Sequence, residues 1–175
     1  MPLIKPRDHE RAEAIGARVF GSMDGVISTL AVIAGVAGAT TNHIIVLVAG
    51  VAAMMAEAIS MGFSSYSSAR VREKILGHKN SLVKRTAREG TEFWLVTMGG
   101  GAIPLVPFLL RLADTITSLK IAVILSAVFL FSIGFYIGKL TKKDAFYEGL
   151  FNAVMGMIAA AATYAVGYGI SLLQI

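Results

Sequence analysis

The chain has 175 residues, 55% of them hydrophobic and only 15% charged, with a mean hydropathy of +0.70, a balance outside the range of water-soluble globular domains. Cysteine is absent, which excludes disulfides, thiolate metal sites, iron–sulfur clusters and cysteine nucleophiles. A net charge of +5 would suggest nucleic acid in a soluble protein, but in a membrane protein the placement of basic residues reports orientation, and no nucleic-acid partner is expected.

The N-terminal residues mix Lys5, Arg7 and Arg11 with Asp8, Glu10 and Glu13 and lack the basic, apolar and small succession of a signal peptide. They lead into a first span at 20–40, about the 20 residues that a bilayer core requires, whose one charge is Asp24. A polar turn at 41–43 separates it from a second span at 44–65, with Glu57 inside it. Residues 70–92 are the one long polar segment and read as a cytoplasmic loop. A third span at 93–110 contains Gly99, Gly100, Gly101, Pro104 and Pro107, a density of breakers that predicts a kinked or locally unwound helix and a flexible pathway. Spans at 121–138 and 149–173 follow, the last rich in Ala and Gly. The whole chain, 1–175, therefore reads as an all-α membrane protein, a single domain of five transmembrane helices.

Lys and Arg of the N-terminus, of 70–92 and of 139–143 all fall on one side of this arrangement, against only Arg111 and Lys120 on the other. The positive-inside rule then predicts a cytoplasmic N-terminus and an external C-terminus. No targeting segment is evident, and the expected location is the cell membrane, multi-pass, or an organellar membrane in a eukaryotic source.

The short turn between the first two spans allows a depth calculation. From a midpoint between Thr40 and Thr41, Asp24 and Glu57 are each roughly 25 Å along their helices at 1.5 Å per residue, so an antiparallel pair holds both carboxylates at one depth. Met54, Glu57 and Met61 share a helical face, with Ser60 and Ser64 beside it, and Ser28 is one turn from Asp24. Carboxylates with a thioether favour a transition metal such as Fe²⁺ over Mg²⁺ or Ca²⁺, and a departing metal can be replaced by a proton. Asp24, Glu57 and Met61 are the expected metal ligands. Met54, Glu73, Glu89 and Glu92 are secondary candidates for metal binding or intake, although the 70–92 segment carries seven basic residues against three acidic ones.

Each of these features has a plainer reading. Buried carboxylates can serve as hydrogen-bonding glue between helices, and methionines are common gap-fillers. Gly21, Gly25, Gly35 and Gly38 suit close helix packing, with a dimer contact as the sharper version. The basic segment can be a solvated face near anionic headgroups, and His43 and His78 read as solvated turn residues. Paired carboxylates could also activate water in an intramembrane hydrolase, but no protease motif accompanies them. A structural or assembly subunit of a membrane complex is the principal alternative.

Residues 24–39, DGVISTLAVIAGVAGA, resemble the first-span signature of the vacuolar iron transporter family. AISMGFSSY at 58–66 resembles its second-span motif, GGAIPLVPFLL at 100–110 its Gly-Gly, Pro and Pro pattern, and the Gly/Ala-rich 159–169 its last span. The resemblance implies a five-helix homodimer, not an enzyme, that moves Fe²⁺, and often Mn²⁺, out of the cytoplasm in exchange for protons, with no cofactor beyond the transported ion. Asp24 and Met61 match the family's acidic and methionine ligands. The family's second-span glutamate falls at Ala53 here, so Glu57 joins the set through the helix face it shares with Met61. The short basic 70–92 segment also departs from the longer metal-binding module of vacuolar members.

Overall fold

The computed structural model describes residues 6–75, 82–111 and 113–173, and among these the secondary structure is entirely helical. Helix α1 (Pro6–Ala39) and α2 (His43–Ile75) form a long hairpin. Helix α3 (Leu82–Ala102) passes through a 3-10 turn (Ile103–Leu105) into the short α4 (Val106–Leu109), and α5 (Thr115–Thr141) and α6 (Ala145–Leu172) form a second hairpin. Five stretches are long and apolar enough to cross a membrane: Ala14–Ala39, His43–Arg72, Ala87–Leu109, Thr115–Thr141 and Ala145–Leu172. They overrun the spans that hydropathy outlines because the helices continue into polar residues. Much of the polar 70–92 segment is likewise helix, split between the end of α2 and the start of α3.

Helix starts are set by short polar side chains that accept hydrogen bonds from otherwise unpaired backbone amides. Asn42 accepts from Ile44 and Ile45 at 3.0 and 3.2 Å, Asp114 from Thr117 at 3.2 Å, and Asp144 from Phe146 and Tyr147 at 3.0 and 3.2 Å. The Thr117 hydrogen bond holds the Asp114 carboxyl below its usual pKa. At the far end of α5, Lys142 turns left-handed (φ 57°), and the Lys143 amide closes onto the Gly138 carbonyl at 3.0 Å.

Helix α1 is the hub, packing against α2, α3, α5 and α6. Close approach explains its glycines. A Cβ on Gly25 would strike the Thr97 carbonyl oxygen of α3, and one on Gly38 the Tyr164 carbonyl oxygen of α6. Gly21 faces Phe93 and Gly35 faces Thr163, so all four glycines are used inside one chain. The buried core gathers toward the end where α1 stops, with Leu30, Ile33 and Ala37 of α1 against Val46, Leu105 and Phe108. The other end, where α1 begins and Arg18, Arg72 and Arg88 lie, is the basic end.

Gly25→Leu is expected to abolish the monodisperse peak in detergent gel filtration, whereas Gly16→Leu, at a position with nothing within 4 Å of a Cβ, should preserve it. Because the folded Asp114 pKa is depressed, its contribution is fully present above the unfolded value and is lost as pH falls through the folded one. The thermal destabilisation caused by Asp114→Ala should thus be constant from neutral pH down to about pH 5 and shrink below about pH 4, as read by melting temperature across a pH series.

Candidate metal site and its approach

The α1–α2 hairpin brings Asp24 and Glu57 together, each half-buried and with their carboxylates close enough to interact directly. Ser28, one turn beyond Asp24, donates its hydroxyl to the Glu57 carboxylate and lies 2.8 Å from the Asp24 carbonyl oxygen. This bond fixes the Glu57 side chain against α1. Two adjacent carboxylates in an apolar bundle repel one another, and either a proton or a cation between them relieves the repulsion. Among the described residues no cluster of three or more His, Cys, Asp or Glu side chains forms. A cation held here by one chain must complete its shell with hydroxyl, carbonyl, thioether or water.

A cleft of about 570 Å³ opens from the basic end between α1, α2 and α3. Phe20 and Met61 line it, one turn from Asp24 and Glu57 respectively, and Ser64, Ser65 and Ser68 continue the α2 wall. Met61 is thereby at the approach to the carboxylates, whereas Met54 is on their far side, packed against the core. Glu89 and Glu92 also line the cleft, and both are held by arginine. Arg72 reaches both Glu89 oxygens at 3.0 and 2.9 Å, and Glu92 binds Arg88 at 2.8 Å and Arg18 at 3.3 Å. The charge pattern of 70–92 shows Arg88 one turn from Glu92 but misses the other two partners, because Arg18 comes from α1 and Arg72 from another helix than Glu89. Glu73 is on α2, but its side chain, like the whole of His78, lies outside the described residues.

The end away from the cleft is shut. Ile33 and Leu105 meet over Gly50, where a Cβ would lie 2.5 Å from both side chains. His43 is not a solvated turn residue. Its Nε2 is 2.8 Å from the Phe108 carbonyl oxygen and its ring packs on the Phe108 ring at 5.2 Å, while Thr115 donates to the Thr41 carbonyl at 2.6 Å. The glycine run of α3 stays regular helix. Gly100 presses on the Ser22 carbonyl oxygen and Gly101 on Met54 and Thr29, and the departure from α-helix falls at Ile103–Leu105, around the buried Pro104 and next to Pro107.

Five membrane-length helices, with a carboxylate pair between the first two and a cleft opening at one end, define a multi-pass membrane protein. The sequence profile of the VIT family matches residues 15–93 and 70–168, and the chain belongs to that family, a family of metal transporters. An uncharacterised protein of Methanocaldococcus jannaschii is 29% identical over 161 residues, covering 82% of each chain. The vacuolar iron transporter of Plasmodium berghei is 46% identical over 50 residues, 29% of this chain and 18% of that protein. Vacuolar iron transporter 1 of Arabidopsis thaliana is 25% identical over 205 residues, 83% of this chain and 82% of the plant protein.

The Arg72–Glu89 pair is 40% and 33% exposed. A double-mutant cycle with Arg72→Gln and Glu89→Gln should therefore give a coupling of at most about 1 kcal/mol, and thermal melts in about 1 M salt, where the screening length is near 3 Å, should shrink it further.

Proposed function

We propose that the protein carries Fe²⁺, and Mn²⁺ as a related substrate, out of the cytoplasm in exchange for protons. The observation that carries this reading is the meeting of Asp24 and Glu57 beyond a cleft open at the basic end. Positive-inside bias assigns that end, and with it the N-terminus, to the cytoplasm and the C-terminus to the outside. Metal enters past Glu89, Glu92 and Met61, loses water to Asp24 and to Glu57, which Ser28 orients, and leaves when the closure at Ile33 and Leu105 opens. Protons arriving from outside then neutralise the vacated carboxylates and let the empty protein reset. Several relatives are vacuolar iron transporters, which supports iron as the substrate class.

The working unit in this reading is a homodimer in the cell membrane. One chain offers two neighbouring acidic ligands, and apolar side chains such as Ile44, Val48, Ile59 and Phe63 on α2 are exposed to lipid or to a second copy. The Ser28–Glu57 hydrogen bond between α1 and α2 also supports a second reading, in which the carboxylates are helix glue in a structural subunit.

Fe²⁺ uptake into proteoliposomes, followed by an enclosed dye with and without a pH gradient, separates the two. Wild-type protein should transport, faster when the lumen is acidic, and Asp24→Asn or Glu57→Gln should reduce uptake to the level of empty liposomes while the protein still inserts. No uptake by the wild type, with no Fe²⁺-induced thermal shift, would leave the structural subunit standing. Ser28→Ala is expected to weaken Fe²⁺ binding by about 10-fold, the lower range for losing a group that orients a metal ligand, as measured by the Fe²⁺ dependence of that shift.

A further inference from the structure

Immediately after Ser28 on α1 stands Thr29, fully buried, with a hydroxyl that has no hydrogen-bond partner. A helical Ser or Thr ordinarily satisfies its hydroxyl on a carbonyl one turn back, as Thr91, Thr141 and Thr163 do here. Thr29 instead aims across to α3. Its oxygen lies 2.8 Å from the point where a Cβ on Gly101 would stand, the Met54 Cγ lies 2.8 Å from that same point, and the Gly25 carbonyl oxygen is 3.3 Å away.

Because α2 runs antiparallel to α1, Met54 precedes Glu57 by about one turn on the side away from the cleft, level with Thr29. Three helices thus deliver an unpartnered hydroxyl, a thioether side chain, a carbonyl oxygen and a bare backbone to one spot. It lies between the carboxylate pair and the closure of Ile33 and Leu105 over Gly50.

We propose that Thr29, Met54 and the Gly25 carbonyl, gathered on the bare face of Gly101, form a second, transient station for a divalent transition-metal ion leaving Asp24 and Glu57. The proposal rests on the transport reading above. All three donors are neutral, so they hold a doubly charged ion less tightly than the carboxylates do and release it readily, as conduction between successive sites requires. The thioether gives the station a preference for Fe²⁺ over harder cations. In this conformation the spot is shut, and the unbranched, flexible side chain of Met54 is the part able to swing and admit an ion. Gly101 is required because any side chain would occupy the space.

The test uses the full-length protein and two readouts: Fe²⁺ and Mn²⁺ uptake into proteoliposomes, and the Fe²⁺-induced thermal shift of the purified protein, which reports the carboxylate site. Thr29→Val keeps the shape and removes the hydroxyl. It should cut Fe²⁺ uptake by about 10-fold or more while the thermal shift persists, and Thr29→Ser should restore uptake. Met54→Leu should lower Fe²⁺ uptake more than Mn²⁺ uptake, a change in selectivity that a packing role would not produce. Uptake by Thr29→Val within about twofold of wild type, a difference well under 1 kcal/mol, overturns the station, as does loss of the thermal shift together with uptake. Should Thr29→Val fail to insert, an unchanged Fe²⁺ to Mn²⁺ ratio in Met54→Leu overturns it. Wild-type protein that transports alongside unaffected variants removes the station alone, whereas wild-type protein that transports nothing removes the transport reading as well.

Discussion

A carboxylate placed inside an apolar helix must be met there by a proton, a cation or a hydrogen-bond donor, because the membrane interior offers no water to do it. In this protein Glu57 is met by Ser28 and faces Asp24, and much of the structure follows from holding α1 and α2 in that relation. Helix α1 occupies the centre of the bundle, and it can do so because its glycines let the α3 and α6 backbones come within carbonyl contact. In lipid, where apolar burial adds no drive to helix association, such close backbone packing supplies the dispersion contacts that hold the bundle together.

The packing is uneven along the membrane normal. Near the end of α1 the core is continuous from Leu30 through Phe108 and is tied by His43 to the Phe108 carbonyl and by Thr115 to the Thr41 carbonyl of the α1–α2 turn. At the basic end the helices part around a cleft and their contacts are ion pairs among Arg18, Arg72, Arg88, Glu89 and Glu92. Partly exposed ion pairs of this type are worth little individually and exchange readily with solvent, so the open end is held by interactions that a cation can compete for. The shut end is held by apolar packing, which must come apart as a unit. One end of the pathway is therefore soft and the other is stiff, and the carboxylate pair lies between them.

The basic cleft also bears on how a cation approaches. Glu89 and Glu92 do not stand as a free acidic collar, because arginines of three helices hold them. A cation would compete with guanidinium for either glutamate, whereas Met61 and the serines of α2 are neutral. The departure from an acidic, metal-collecting module is thus a matter of pairing as well as of loop length.

Hydropathy, the two intramembrane acids and the equal distance of Asp24 and Glu57 from a short turn were enough to locate the bundle, its hairpin and the depth of the carboxylates. These depend on local helix geometry, in which 1.5 Å per residue converts spacing into depth. The family resemblance likewise rests on local motifs. Span limits were less legible because a helix continues past the apolar stretch into polar residues without a change of backbone. The sequence alone also placed Met54 and Met61 on one face at different depths without showing which of them borders an open cleft, and it kept Thr29 and Arg18 out of view. Only the packing of α3 against both other helices decided that Met61 borders the approach, that Met54 and Thr29 converge beyond the carboxylates on Gly101, and that Arg18 and Arg72 engage the mouth glutamates. Those are contacts between residues far apart in the chain, determined by which helix faces which, and periodicity within a single helix carries no information about its neighbour.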